Sequence, residues 1–161
     1  MKTLKQVFKT VLIKRQDTRN ENFLPCEIKF SKTDNCWYVK APGFYKGIMT
    51  YGNTLKKAKA MAAEAVTGLL ETYLEHGDKF NIPKGGTSKD WVNIEIKPSL
   101  AFALWLRNAR VSRKMTLAEI AEKMGVKYQV YQKLENPKTA NPTLKTLKKL
   151  EVIFDQELVA V

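Results

Sequence analysis

Two cysteines and one histidine are the only thiol and imidazole groups in this 161-residue chain. A structural zinc site draws four such ligands at set spacings, and no spacing of that kind occurs here. No metal or other cofactor is therefore expected. The cysteines themselves, Cys26 and Cys36, flank turn chemistry at residues 33–35. A hairpin folded there pairs Cys26 with a residue near position 42 rather than with Cys36, so no disulfide is expected, and reduced thiols fit a cytosolic protein. Long apolar runs are also missing: none approaches the roughly 20 residues of a membrane span. Residues 1–14 are basic but lack the continuous apolar core of a signal peptide. These readings place the protein in the cytoplasm, with no membrane partner.

Negative charge is scarce. Sixteen Asp and Glu face 28 Lys and Arg, a net charge of +12. The excess is uneven: 10 basic against 4 acidic residues in 1–50, 7 against 6 in 51–100, and 11 against 6 in 101–161. Such a balance favours polyanionic partners and fast association with them. The apolar fraction, 44%, is ordinary for a chain that folds.

Residues 1–22 allow either an amphipathic helix, from Leu4, Val7, Phe8, Val11 and Leu12, or a strand over 10–14; the polar run 16–22 follows as a linker. From Phe23 the pattern alternates. Cys26, Ile28 and Phe30 share one face of a first strand, 37–40 form a second that stops at Pro42-Gly43, and 48–51 a third. Thr54 is placed to cap a helix over Leu55–His76, with an apolar stripe of Leu55, Ala58, Ala62, Ala65, Leu69 and Tyr73 and with Gly77 at its C′ position. Residues 81–90 read as a loop, and Val92, Ile94 and Ile96 as a fourth strand; if it pairs in parallel with the third, the crossover is right-handed. Pro98 stops that strand and Ser99 is the expected cap of the next helix. The sequence from there to Phe154 is helical throughout. Strands followed by helices imply an α+β protein, divided into a basic extension (1–22), a β-β-β-α-β domain (23–97) and an all-α domain (98–161).

The helical part carries the sharpest pattern. Thr116 and Glu119 have capping-box spacing. Leu117, Ile120, Ala121 and Met124 form one apolar face, Gly125 ends that helix, and Val126 plugs the turn. A second short helix starts near Lys127, buries Tyr131 and Leu134, and stops at Asn136-Pro137. A small residue, Ala121, where two short helices approach across a Gly-containing turn is helix-turn-helix geometry, with the second helix lying in the major groove. Residues 106–152 resemble the Cro/lambda-repressor (XRE) type of DNA-binding domain, including Asn141-Pro142 ahead of the last helices; the resemblance implies five helices. Where that family often has Gln, this chain has Leu117. The candidate DNA-contacting residues are Thr116, Lys127, Tyr128, Gln129, Gln132 and Lys133, with Lys138 and Asn141 directed to phosphates. Gln reads adenine bidentately, and Lys reaches guanine or phosphate.

The first half has a resemblance too. Residues 37–39, Pro42-Gly43, Gly52-Asn53-Thr54, Leu55, Ala58 and Ile82-Pro83 are similar to the HicB family of antitoxins, and a strand leading straight into a helix-turn-helix fits a subgroup of that family. The resemblance implies a partial ribonuclease-H-like fold that docks a small HicA-like, mRNA-cleaving toxin, and a tail that represses its own operon. The long helix places Lys56, Lys57 and Lys59 at its start and Glu71, Glu75 and Asp78 at its end, the reverse of what the helix dipole prefers. Its acidic end is the candidate toxin-binding surface. No catalysis is expected: a ribonuclease-H-like nuclease needs carboxylates converging on divalent metals, whereas the strands offer only Glu27 and Glu95, and His76 sits where an imidazolium suits the dipole. The expected protein is an antitoxin and autorepressor, a homodimer or higher oligomer, bound by double-stranded operator DNA and a toxin. The alternative is a repressor whose N-terminal domain senses another protein or ligand.

Overall fold

The structure, a computed structural model, describes residues 23–44, 47–77 and 90–156. The expectations for residues 1–22, for the loop over 81–89 and for Asp78 lie outside the described residues. The fold is α+β, strands first and helices after. The chain divides into two compact units. One contains Phe23–Thr72 and Asn81–Ile96; the other contains Tyr73–Phe80 and Lys97–Val161.

In the first unit, β1 (Phe23–Glu27), β2 (Lys29–Thr33), β3 (Cys36–Ala41) and β4 (Ile48–Gly52) precede α1 (Leu55–His76), whose last turn from Tyr73 belongs to the second unit, and β5 (Trp91–Glu95) follows it. The order is therefore β-β-β-β-α-β. The single strand expected through Cys26 and Phe30 is two strands. At Ile28, whose amide donates to the Asp90 carbonyl at 2.6 Å, the chain leaves one sheet for another. β2, β3 and β4 form an antiparallel sheet, while β1 pairs antiparallel with β5. Cys26 consequently faces Val92 rather than a residue near 42, and β5 is not a parallel neighbour of β4. Burial alternates as a half-covered sheet requires: Val39 and Ala41 are buried, Tyr38 and Lys40 exposed. Asp34 turns the β2–β3 hairpin with φ at 53°, a conformation that Asp tolerates better than most residues.

Thr54 caps α1 as expected, its hydroxyl accepting from the Lys57 amide at 3.1 Å. Gly77 closes it with φ at 89°. The buried line runs Ala58, Ala62, Val66, Leu70, Leu74, whereas Ala65, Leu69 and Tyr73 are half-buried. Each step past Ala62 offers two adjacent apolar residues, and the core selects the second of each pair. Gly52 is obligatory for a different reason: a Cβ there would lie 2.5 Å from the Ala58 nitrogen, so only a bare backbone lets the first turn of α1 pass the end of β4.

The second unit holds α2 (Pro98–Ser112), α3 (Leu117–Met124), α4 (Tyr128–Leu134) and α5 (Leu144–Phe154), four helices among the described residues rather than five. Helix α2 begins at Pro98 with Lys97 as its N-cap and no side-chain cap. Proline's fixed φ and missing N–H suit the first helical position, so Ser99 lies inside the helix instead of capping it. Trp105 locks α2 to the end of α5: its Nε1 donates to Gln156 Oε1 at 3.1 Å, and its ring meets Phe154 edge-on at 5.8 Å. The Arg113 guanidinium lies 5.1 Å above the same Phe154 ring and donates to the Phe154 carbonyl.

Cys26 and Cys36 are both free. Burial pushes the Cys26 thiol up to about 12, far above the range in which a thiolate forms at neutral pH, while Cys36 is only half-buried. Iodoacetamide at neutral pH should therefore modify Cys36 alone in the native protein and both thiols in denaturant. Peptide mass mapping that finds native Cys26 alkylated as fast as Cys36 would contradict the burial of β1.

Candidate nucleic-acid interface

Helix α3 starts at a complete capping box. The Thr116 hydroxyl accepts from the Glu119 amide at 3.2 Å, and the Thr116 amide donates to Glu119 Oε2 at 2.6 Å. Those Thr116 bonds hold the Glu119 carboxyl below the usual carboxylate range. Gly125 adopts the left-handed conformation, φ 62°, that ends α3. The Val126 amide then donates back to Ala121 at 2.9 Å, which tightens the turn into α4. Ile120, Ala121 and Met124 are buried, as expected. Leu117, grouped with them from the sequence, is only half-buried, because it occupies the first helical position, at the rim of the face. Lys149, reaching from α5, donates to the Met124 carbonyl at 2.6 Å.

Helix α4 is anchored by a buried polar cluster. Glu135, only 8% exposed, receives Arg110 in a two-pronged pair, Nε to Oε1 at 2.6 Å and Nη2 to Oε2 at 2.8 Å. Tyr131 adds a third bond, its hydroxyl donating to Oε1 at 2.8 Å. Arg110 also donates Nη1 to the Met115 carbonyl at 3.0 Å, so one guanidinium ties α2, the approach to α3 and the end of α4. The Glu135 partnership raises the Arg110 pKa; burial first, then the Glu135 charge, raises that of Tyr131. The sequence reading placed Tyr131 on the buried face but missed the cluster. Arg110 and Glu135 are 25 residues apart, and nothing in their local context marks them as partners.

With Tyr131 and Leu134 turned inward, Lys127, Tyr128, Gln129, Gln132 and Lys133 are exposed, as are Thr116, Lys138 and Asn141. Val130, 50% exposed, belongs to the same surface and was not singled out. Its signal was an apolar residue off the Tyr131–Leu134 stripe, fit for a thymine methyl. Lys138 is engaged within its unit: its Nζ lies 2.9 Å from Glu75 Oε1. That bond holds the Glu75 carboxyl below its ordinary range. A lowered carboxylate keeps its interaction at neutral pH and loses it as acid carries the pH down through the lowered pKa. The structure thus joins one expected phosphate contact to one expected toxin contact. Arg107 fastens the same turn, donating to the Leu74 carbonyl at 2.8 Å. Glu71 lies half-buried on α1, one turn before Glu75. No group of three His, Cys, Asp or Glu side chains is placed to hold a metal ion among the described residues, and no described helix is long and apolar enough to cross a membrane.

Residues 106–160 match a family model described as Helix-turn-helix. Over 93 residues the chain is 35% identical to Antitoxin HicB 1 of Photorhabdus laumondii, a stretch covering 58% of this chain and 57% of that relative. It is 29% identical over 107 residues to Antitoxin HicB 2 of the same organism, covering 66% and 74%. The match thus spans little more than half the length of the first relative. The chain carries an XRE-type helix-turn-helix domain and is homologous to these HicB antitoxins over most of its length.

The anchor of α4 can be tested by a double-mutant cycle. Glu135→Leu leaves a largely buried guanidinium and a buried hydroxyl without their acceptor and should cost about 3 kcal/mol in urea unfolding. Adding Arg110→Met should recover part of that loss, since it removes the unpaired charge and leaves only the Tyr131 hydroxyl without its acceptor, and Arg110→Met alone completes the cycle. Additive losses would show that the two side chains do not act as a pair.

Proposed function

We propose that the protein is an antitoxin of a type II toxin–antitoxin pair, which binds and occludes a small HicA-like, mRNA-cleaving toxin and represses its own operon by sequence-specific DNA binding. The observation that carries this reading is homology to HicB antitoxins in a chain that ends in a helix-turn-helix domain. In this reading residues 1–22 are an extension, 23–97 the toxin-docking domain and 98–161 the DNA-binding domain. Helix α4 enters the major groove; Lys127, Tyr128, Gln129, Gln132 and Lys133 meet bases or phosphates there, Thr116 lies at the groove's edge, and Lys138 and Asn141 reach the backbone. Glu71, Glu75 and Asp78 meet the toxin. Inhibition is by occlusion, which needs tight binding and no chemistry, so no catalytic residue or cofactor is assigned. The working form is a homodimer or larger, since one module covers only one half-site, and the setting is the cytoplasm.

DNA recognition is tested with the protein's own promoter against random duplex. Promoter affinity should fall steeply with salt, with about 0.9 counterions released per phosphate neutralised. Gln129→Ala or Gln132→Ala should lose about 1–3 kcal/mol on the promoter and little on random DNA. Equal losses on both duplexes would assign that glutamine to the backbone, and no promoter preference at all would remove the repressor half of the reading. Light scattering should give at least twice the 18.4 kDa chain mass.

The toxin half is tested by co-expressing the full chain with the small gene adjacent to it. Growth arrest by that gene alone, relieved by the chain, is the expected result. Glu71→Lys should slow association more than it speeds dissociation, as a charge at the rim of an interface does. A harmless neighbour, or one that never binds the chain, would leave a DNA-binding repressor whose N-terminal domain senses something else.

A further inference from the structure

The antiparallel sheet of the first unit has a face that the proposed function does not use. Side chains alternate across β2, β3 and β4, and the inward set includes Val39, Ala41 and Ile48, all buried. The outward set forms two cross-strand rows. Ser31, Tyr38 and Tyr51 lie opposite one another in one row, and Lys29, Lys40 and Met49 in the next. Tyr38 is 46% exposed, Tyr51 62% and Met49 78%. The two tyrosine rings stand 6.4 Å apart between centroids, tilted by 42°.

Charge on these strands has one sign. β2, β3 and β4 contain Lys29, Lys32 and Lys40 and no Asp or Glu. Lys29 and Lys40 face each other directly across the β2–β3 pair, an arrangement that repels; the nearest carboxylate to Lys29, Glu27 at 3.5 Å, comes from β1. Protein-binding surfaces are depleted in lysine while enriched in tyrosine and methionine. Exposed aromatic rings on an open sheet, on strands whose own charges are all lysines, match the platforms on which unpaired bases stack while cations track the phosphates.

We propose that this outward sheet face, built on Tyr38 and Tyr51 and flanked by Lys29 and Lys40, binds single-stranded RNA. The two rings stand side by side on the exposed face, 6.4 Å between centroids, so neighbouring unstacked bases can each lie on one ring. A phosphate at the lysine row relieves the Lys29–Lys40 repulsion. Ser31, directly opposite Tyr38, sets an exposed hydroxyl beside the platform, where a ribose 2′-hydroxyl, present only in RNA, can bond to it. The inference is independent of the helix-turn-helix and requires none of its residues.

The experiment is fluorescence anisotropy of the full-length protein with a labelled 12-nucleotide oligouridine, and in parallel the matching oligothymidine. Saturable binding is expected, tighter for RNA, weakened by salt, and weakened roughly 5- to 150-fold by Tyr38→Ala or Tyr51→Ala. Tyr38→Phe should retain binding, because stacking needs the ring and not the hydroxyl. Lys127→Gln with Lys133→Gln, which reports on duplex recognition, should leave RNA binding unchanged. Circular dichroism melts confirm that these exposed substitutions leave the fold intact. The proposal is overturned if oligouridine does not bind, if the α4 variants abolish its binding and the tyrosine variants do not, or if oligothymidine binds more tightly. It is also overturned if the tyrosine variants release the adjacent small protein while RNA binding is unaltered, which would make the face a protein dock.

Discussion

The buried pair of Arg110 and Glu135 is the constraint on which the helical unit depends. A carboxylate and a guanidinium withdrawn from water are tolerable only when nearly every donor and acceptor is met. Here the carboxylate takes two Arg110 bonds and one from Tyr131, and the guanidinium spends a further donor on the Met115 carbonyl. Satisfying them all fixes three separate segments at once. Ile120, Met124, Leu147 and Leu150 are buried in the same unit, but contacts between aliphatic groups tolerate sliding, whereas a forked pair does not. The orientation of α4, a helix of only seven residues too short to be stable alone, follows from that cluster more than from its own propensity.

Elements defined by neighbouring residues were legible in the sequence, and elements defined by distant ones were not. The bounds of α1, its Thr54 cap, the capping box at Thr116 and the Gly125 turn all depend on residues within four positions of each other, and each was read correctly. The break at Ile28 was invisible because Cys26 and Ile28 are both buried: the period-two pattern continues while the pairing partner changes. The partner of β5 depends on which sheet edge lies open, and alternation says nothing about that. Arg110, Glu135 and the hydroxyl of Tyr131 escaped notice because a buried ion pair shows itself only when its members meet.

The candidate interface was legible in a different way. Once Tyr131 and Leu134 were assigned to the core, helical geometry placed Gln129, Gln132 and Lys133 outward, and the structure has all three exposed. The sequence could not reveal that Lys138 already had a partner, since Glu75 lies 63 residues away, on α1. Nor could it separate Tyr38 and Tyr51, whose rings share a face, from residues that merely happen to be aromatic; that required the register of β3 against β4.

The contact between Lys138 and Glu75 alters how salt acts on this protein. Counterion release comes from cations condensed on a duplex, set free when a lysine neutralises a phosphate. Lys138 already faces a carboxylate tethered to its own chain. In the proposed complex, placing it on a phosphate would exchange one fixed anion for another and leave Glu75 in the field of the duplex. A count of surface lysines therefore overstates the electrostatic footprint, since Lys29, Lys138 and Lys148 each already face a carboxylate of the same chain.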